Sequence, residues 1–219
     1  MIAEKLAQIE RFLGRKGITL QIARRPPLDA TAITKAERTL GHSIPEDLRD
    51  VYARFADGFE VFWKDVRSRT DFDFARFCLP DIDHFVQDSA SFREETRDQY
   101  DNPEEYFERI EEARAVLGRM LNWGVLWDTG GDGNLVCIDL QSGAVLFHER
   151  EWSFYEPYIN GYLIAASVNG LIEGWGNVCF LNFPGCPGDC PAHGGSAIPD
   201  YDRQEYNMSN EARHHERTQ

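Results

Sequence analysis

The chain has 219 residues, of which 37 are Asp or Glu and 23 are Lys or Arg, a formal charge of −14; 42% are hydrophobic and 12% aromatic. That apolar content excludes a disordered chain despite the charge, and the length suffices for a core without covalent staples. The acid excess excludes a phosphate-backbone binder, and no apolar run reaches the ~18 residues that a membrane span needs.

The N-terminal stretch alternates charged and apolar residues. It lacks the unbroken apolar segment of a secretory signal, so a cytosolic protein is expected. Ile2, Leu6, Ile9 and Leu13 follow helical spacing, which predicts an amphipathic helix with a basic polar face of Lys5, Arg11, Arg15 and Lys16. Pro26 and Pro27 close the extended stretch that follows. Thr34-Lys-Ala-Glu37 reads as a capping box for a short helix that stops at Gly41. Ser43-Ile-Pro-Glu46 restarts a helix, with Leu48, Val51, Tyr52 and Phe55 as its core stripe. Asp57-Gly58 ends it, and Phe59-Glu-Val-Phe-Trp63 has the aromatic and β-branched content of a strand.

Composition shifts between Asp81 and Glu112, where 12 acidic residues stand against Arg93, Arg97 and Arg109, a balance of −9. Ser91-Phe-Arg-Glu94 offers a capping box for a short helix ending near Tyr100. Asn102 and Pro103 then open a longer one, with Glu104 and Glu105 in its first turn and Tyr106, Ile110, Ala113, Leu117 and Met120 on its apolar face. Trp123-Gly-Val-Leu-Trp127 reads as a strand, and 135–140 with 144–148 as a hairpin over Gln141-Ser142-Gly143. Ser153-Phe-Tyr-Glu156 caps a last helix carrying Tyr155, Tyr158, Ile159, Tyr162, Leu163 and Ala166, ended by Gly174 and Gly176. Strands with helices at both ends and no βαβ alternation predict an α+β domain with an antiparallel sheet. The organisation expected is an N-terminal helix and linker (1–30), one domain (31–180) with an acidic helical insertion near 81–121, and a Cys-, Gly- and Pro-containing extension (181–219).

Two stretches resemble a known family. Ala36-Glu37-Arg38-Thr39-Leu40-Gly41-His42-Ser43-Ile44-Pro45-Glu46-Asp47-Leu48-Arg49, followed by Asp57-Gly58, is similar to the run that opens a SUKH domain of the Smi/Knr type. Gly131-Asp132-Gly133-Asn134, Asp139 and Gly143-Ala144-Val145 are similar to that family's glycine-rich hairpin. With the helix expected from Ser153, the matches span roughly 30–175 in the family's order. The resemblance implies an α+β fold without a catalytic centre or cofactor. For bacterial members it implies immunity: binding a toxin of a polymorphic or contact-dependent system, often a nuclease, and neutralising it. Other members are regulatory interaction modules.

Three constellations carry candidate chemistry. Glu94, Glu95, Asp98, Asp101, Glu104, Glu105 and Glu108 form either a solvated face or a surface that steers a basic protein toxin towards the chain. Cys179, Cys186, Cys190 and His193 have donor types that complete a zinc shell. They lack a C-x2-C knuckle, so Cys186, Cys190 and His193 stand as metal candidates against a reading as reduced thiols. Asp132 and Asp139 flank the glycine-rich turn, without the bidentate Glu of a calcium loop, and read as turn chemistry at strand ends. No nucleophile elbow, zincin motif or phosphate loop is present, and Ser43, Ser91 and Ser153 are all read as helix caps. Cys78 and Cys137 read as buried thiols; Phe62, Trp63 and Trp127 read as core or as interface anchors. The expected function is that of a non-enzymatic immunity protein with a basic protein partner, and with neither nucleic acid nor membrane. The alternatives are a regulatory scaffold and a small metal-dependent hydrolase using the Cys/His tail.

Overall fold

Apolar residues at steps of three and four make the N-terminal segment a helix, α1 (Ile2–Arg15), which buries Ile2, Leu6, Ile9 and Leu13. Lys5 lies three residues after Ile2 and four before Ile9, so it shares the buried side. It is 4% exposed, and its Nζ donates to Glu173 Oε1 and Asn177 Oδ1, each at 2.7 Å. The expected basic face therefore loses Lys5 to an internal ion pair. The structure, a computed structural model, describes residues 2–66, 74–128, 134–148, 160–177, 179–180 and 208.

Helix α2 (Ala30–Leu40) starts four residues before the expected box. Asp29 is its cap, accepting from Ala32 N at 2.8 Å, and Thr34 sits inside the helix with its hydroxyl donating to Ala30 O. An earlier cap of equal quality adds a turn and brings Ile33 into the core. Gly41 ends the helix as expected. The next helix, α3 (Glu46–Asp50), starts after Pro45, leaving Ser43 outside the cap, and runs into a π-helical turn (Val51–Phe55). Leu48, Val51 and Tyr52 are buried, whereas Phe55 is half-buried, edge-on to Phe59 with the Arg24 guanidinium over its ring.

Strands β1 (Gln21–Arg24), β2 (Phe59–Lys64) and β3 (Phe74–Leu79) form one antiparallel sheet in that order. Its inner side carries Val61, Trp63, Phe77 and Leu79, all buried. A second antiparallel sheet has the order β4 (Trp123–Asp128), β5 (Leu135–Asp139), β6 (Val145–His148) and β7 (Tyr162–Ala165). The final helix, α6 (Val168–Gly176), follows.

The acidic region departs from its expected division. One 20-residue helix, α4 (Ile82–Asp101), replaces the short one, with Asp81 as cap and Ser91 exposed in its interior. Its buried stripe of Ile82, Phe85, Ser89, Phe92 and Thr96 is continuous, so nothing interrupts it at Ser91. Asn102 and Pro103 end this helix rather than opening the next. Pro103–Glu105 is a single 3₁₀ turn, and α5 (Ile110–Met120) begins after Arg109. The expected helix through Tyr162 and Leu163 is corrected as well. Tyr162–Ala165 pairs with β6, the cap of α6 is Ser167, and Gly174 lies within α6. Strand pairing outweighs the helical spacing there; residues 153–159 lie outside the described residues.

Both faces of the second sheet are covered, which accounts for the unbroken apolar runs of β5 and β6. Val136, Ile138, Val145 and Phe147 face the main core shared with α1, α6 and the first sheet. Cys137 and Leu146, the alternate residues, face a smaller cluster with Phe92, Val116, Leu117 and Met120 of α4 and α5. A bulge between Val125 and Trp127 brings Trp127 to the main-core side beside Leu126, while Val125 keeps to the smaller cluster. Helix α4 comes close to β4 because Gly124 has no side chain: a Cβ there would lie 2.8 Å from the Phe85 ring. Ser89 Oγ accepts from Val125 N at 2.9 Å across the same contact.

Candidate functional site

All seven carboxylates expected to meet a partner are exposed. Glu94, Asp98 and Asp101 recur at i, i+4 and i+7 on α4 beside Glu95, Glu104 and Glu105 ride the 3₁₀ turn, and Glu108 precedes α5. Among the described residues none of the seven makes an ion pair. Arg93 is turned away, its Nη2 donating to the Leu40 carbonyl at 2.7 Å, and Arg109 is paired with Glu112. Asp98 and Asp101 sit in the last turn of α4, where the helix dipole disfavours negative charge by ~0.3–1 kcal/mol each. Asp98 is relieved by donors from Asn102 Nδ2 and the Tyr106 hydroxyl; that hydrogen bond, first among the causes, pushes the Tyr106 phenol up. Glu104 and Glu108 do not share a helix: the one lies on the 3₁₀ turn and the other precedes α5.

A second feature lies at the opposite end of α4. A cleft of about 540 Å³ opens between the ends of β1 and β3, the start of β2, the first turn of α4 and the end of β4. Phe59, Leu79 and Leu126, all buried, and the half-buried Trp127 give it an apolar floor. Asp81 is its most buried charged group, at 8% exposure. Its Oδ1 accepts from His84 N at 3.0 Å and meets His84 Nδ1 at 2.8 Å, while Oδ2 receives Arg25 Nη1 at 2.6 Å. Burial alone raises the Asp81 carboxyl, but the His84 backbone and ring donors and the Arg25 charge together hold it below the usual range. The same hydrogen bond raises the His84 imidazole. Cys78, also in the lining, has its thiol pushed up by burial and by Glu60. Sequence reasoning passed over this cleft, counting Asp81 only as one acid among twelve. The available signal was Asp81 followed three residues later by His84, a cap with a side-chain partner in the first turn.

The remaining candidates fall as follows. Cys186, Cys190, His193, Asp132 and Ser153 lie outside the described residues. Cys179 is buried, with its carbonyl accepting from Trp63 Nε1 at 2.7 Å. Among the described residues no three His, Cys, Asp or Glu converge as metal ligands. Cys137 is buried, and Cys78 is half-buried. Trp63 belongs to the core, Trp127 packs at its edge, and Phe62 is half-buried on the outer side of the first sheet. No described helix is long and apolar enough to cross a membrane.

Compared with known proteins, residues 27–174 match the SMI1 / KNR4 family (SUKH-1). The chain belongs to this family. Neither the curated proteins nor the solved structures contain a match. The SUKH-1 residues recognisable in the sequence perform architecture here. Glu37 Oε1 accepts from Ile44 N and from Arg49 Nη1, each at 3.2 Å, which fastens the end of α2 to the start of α3. Asp57 Oδ1 accepts from Ile82 N at 2.8 Å, adding to the cap of α4. Gly58 has φ 78°, and a Cβ on it would stand 2.6 Å from Asp81 N, so both its conformation and its neighbour require glycine. Asp139 Oδ1 accepts from Gln141 N and Ser142 N, the turn chemistry expected of it. The SUKH-1 signature thus joins elements to one another, and the exposed carboxylates lie outside it.

Proposed function

We propose that the protein is an immunity protein that binds a basic protein toxin and neutralises it without chemistry of its own, docking through the carboxylates of α4 and the following turn. Family membership supports the class of function, since the SUKH resemblance implies toxin-binding immunity. The observation that carries the docking face is the run of seven exposed carboxylates, none ion-paired among the described residues. Two of them sit at the unfavourable end of a helix dipole, a placement that folding alone does not reward. A nuclease toxin holds phosphates in a basic cleft, and a carboxylate-rich surface gains on-rate towards such a cleft through long-range attraction.

The test is co-expression with toxin domains encoded beside its gene. Rescue of growth from one of them, with a stable complex on purification, is the expected result. A stable complex with a host protein, without rescue from any toxin, favours the scaffold instead. Loss of rescue on Cys186→Ser or Cys190→Ser, with Glu104→Lys harmless, overturns the docking face proposed.

A further inference from the structure

The cleft at the first turn of α4 lies about ten residues, or roughly 15 Å, along the helix from the start of the acidic stretch (His84 to Glu94), and the reading above makes no use of it. Its floor is apolar and its rim is charged. Asp57, Glu60, Asp81, Asp88 and Asp128 line it, against Arg24 and Arg25. Both arginines are engaged: the Arg24 guanidinium lies 5.2 Å from the Phe55 ring centroid, and Arg25 pairs with Asp81. Arg76 pairs with Glu60 at 2.6 Å and Asp81 is held by Arg25 and His84, which leaves Asp57 and Asp88 at the rim without an ion pair among the described residues.

We infer that this cleft receives a cationic side chain, a lysine or an arginine, presented by a partner protein. Apolar walls below a negative rim suit the two halves of such a side chain. The alkyl stem packs on Leu79, Leu126 and Trp127 while the charged head stays at the rim. The indole adds an aromatic surface on which a cation gains further attraction. Low-dielectric walls focus the field of the rim, so the same cleft repels anionic ligands. Its volume exceeds that of one side chain and takes the flanking residues of an extended segment. The inference does not depend on toxin neutralisation, since any partner that presents such a side chain meets the same chemistry.

The experiment titrates the ¹⁵N-labelled full chain with a capped Gly-Arg-Gly peptide, and in parallel with its uncharged citrulline analogue. The result expected is a saturable shift of the Ala23, Glu60 and Asp88 amides and the Trp127 indole N–H with the arginine peptide, and none with citrulline. Ala23→Trp, at an exposed lining position, fills the cleft and abolishes the shifts; Asp88→Lys, also exposed, weakens binding several-fold and serves should the first variant not fold. Equal response to the citrulline peptide overturns the inference, as does an absence of shifts. Shifts confined to residues 94–108 overturn it while leaving the acidic docking face intact.

Discussion

The two apolar layers on either side of the second sheet differ in what stands behind them. The main core is a ring-packed interior: Trp175 stacks on Trp127 at 5.2 Å and meets Phe77 edge-on at 5.5 Å, and Phe77 stacks on Phe180 at 5.0 Å. It ties α1, α6 and both sheets together. Among the described residues the smaller cluster holds nine buried residues and is backed by α4 and α5, with the seven carboxylates on the outer side of α4 and on the segment that joins the two helices. The difference separates two jobs. One layer specifies the fold, and the other is a platform thick enough to hold a charged surface steady. Damage to the two should therefore be unequal in size and in reach.

The largest effect is expected in the main core. Trp175→Ala should cost about 3–5 kcal/mol in denaturant unfolding and loosen α1 and α6 together. Leu117→Ala, equally buried but in the smaller cluster, should cost about 2–3 kcal/mol, with amide exchange accelerating in α5 first while α1 keeps its protection. Uniform acceleration in both helices would erase the distinction between the layers. Next comes the junction between the first sheet and α4. Gly58→Ala forces a Cβ onto the Asp81 backbone at a positive φ and should cost about 1–3 kcal/mol, read from the shift in the unfolding midpoint.

Smaller still is the pH dependence of the Asp81–His84 pair. Asp81 is held below its ordinary range in the folded state, so its contribution is present above the unfolded carboxylate value and is lost as pH falls through the folded one. His84 is raised, so its contribution is complete below the ordinary histidine value and is lost as pH rises through the folded one. Stability should therefore peak between ~pH 5 and 6 in this respect, and His84→Ala should remove the fall on the alkaline side and shrink the fall on the acid side, where the residue 84 backbone N–H and Arg25 still hold Asp81 down. Thermal unfolding across that range checks it; an unchanged alkaline limb in the variant would show that the pair contributes nothing.

Much of this architecture was legible because local chemistry and tertiary demand agree. The Gly41 stop, the β2 strand, the 135–148 hairpin and the core stripe of Leu48, Val51 and Tyr52 are read from local composition, turn residues and spacing. Two of the misreadings share one cause. Ser-x-x-Glu and Thr-x-x-Glu patterns compete with neighbouring Asp caps, and Asp29 and Asp81 win because starting earlier buries Ile33 and Phe85. At Tyr162 the competitor was a strand partner 15 residues back in the sequence, which no local window contains. The acidic face was legible as composition, whereas the cleft was not. Its residues come from β1, β2, β3, α4 and β4, and only the fold brings them together.

The central claim is that the exposed carboxylates at and after the end of α4 bind a basic protein, and that Glu104, Glu105 and Glu108 do so without contributing to folding. The direct test is the triple variant Glu104→Lys, Glu105→Lys, Glu108→Lys, compared with the unaltered chain for affinity to the toxin domain that co-expression selects, at ~0.05 M and ~0.2 M salt. The account predicts stability within about 0.5 kcal/mol of the parent, affinity reduced at least tenfold (~1.4 kcal/mol) at the lower salt, and a flattened salt dependence. Unchanged affinity at the lower salt would contradict it.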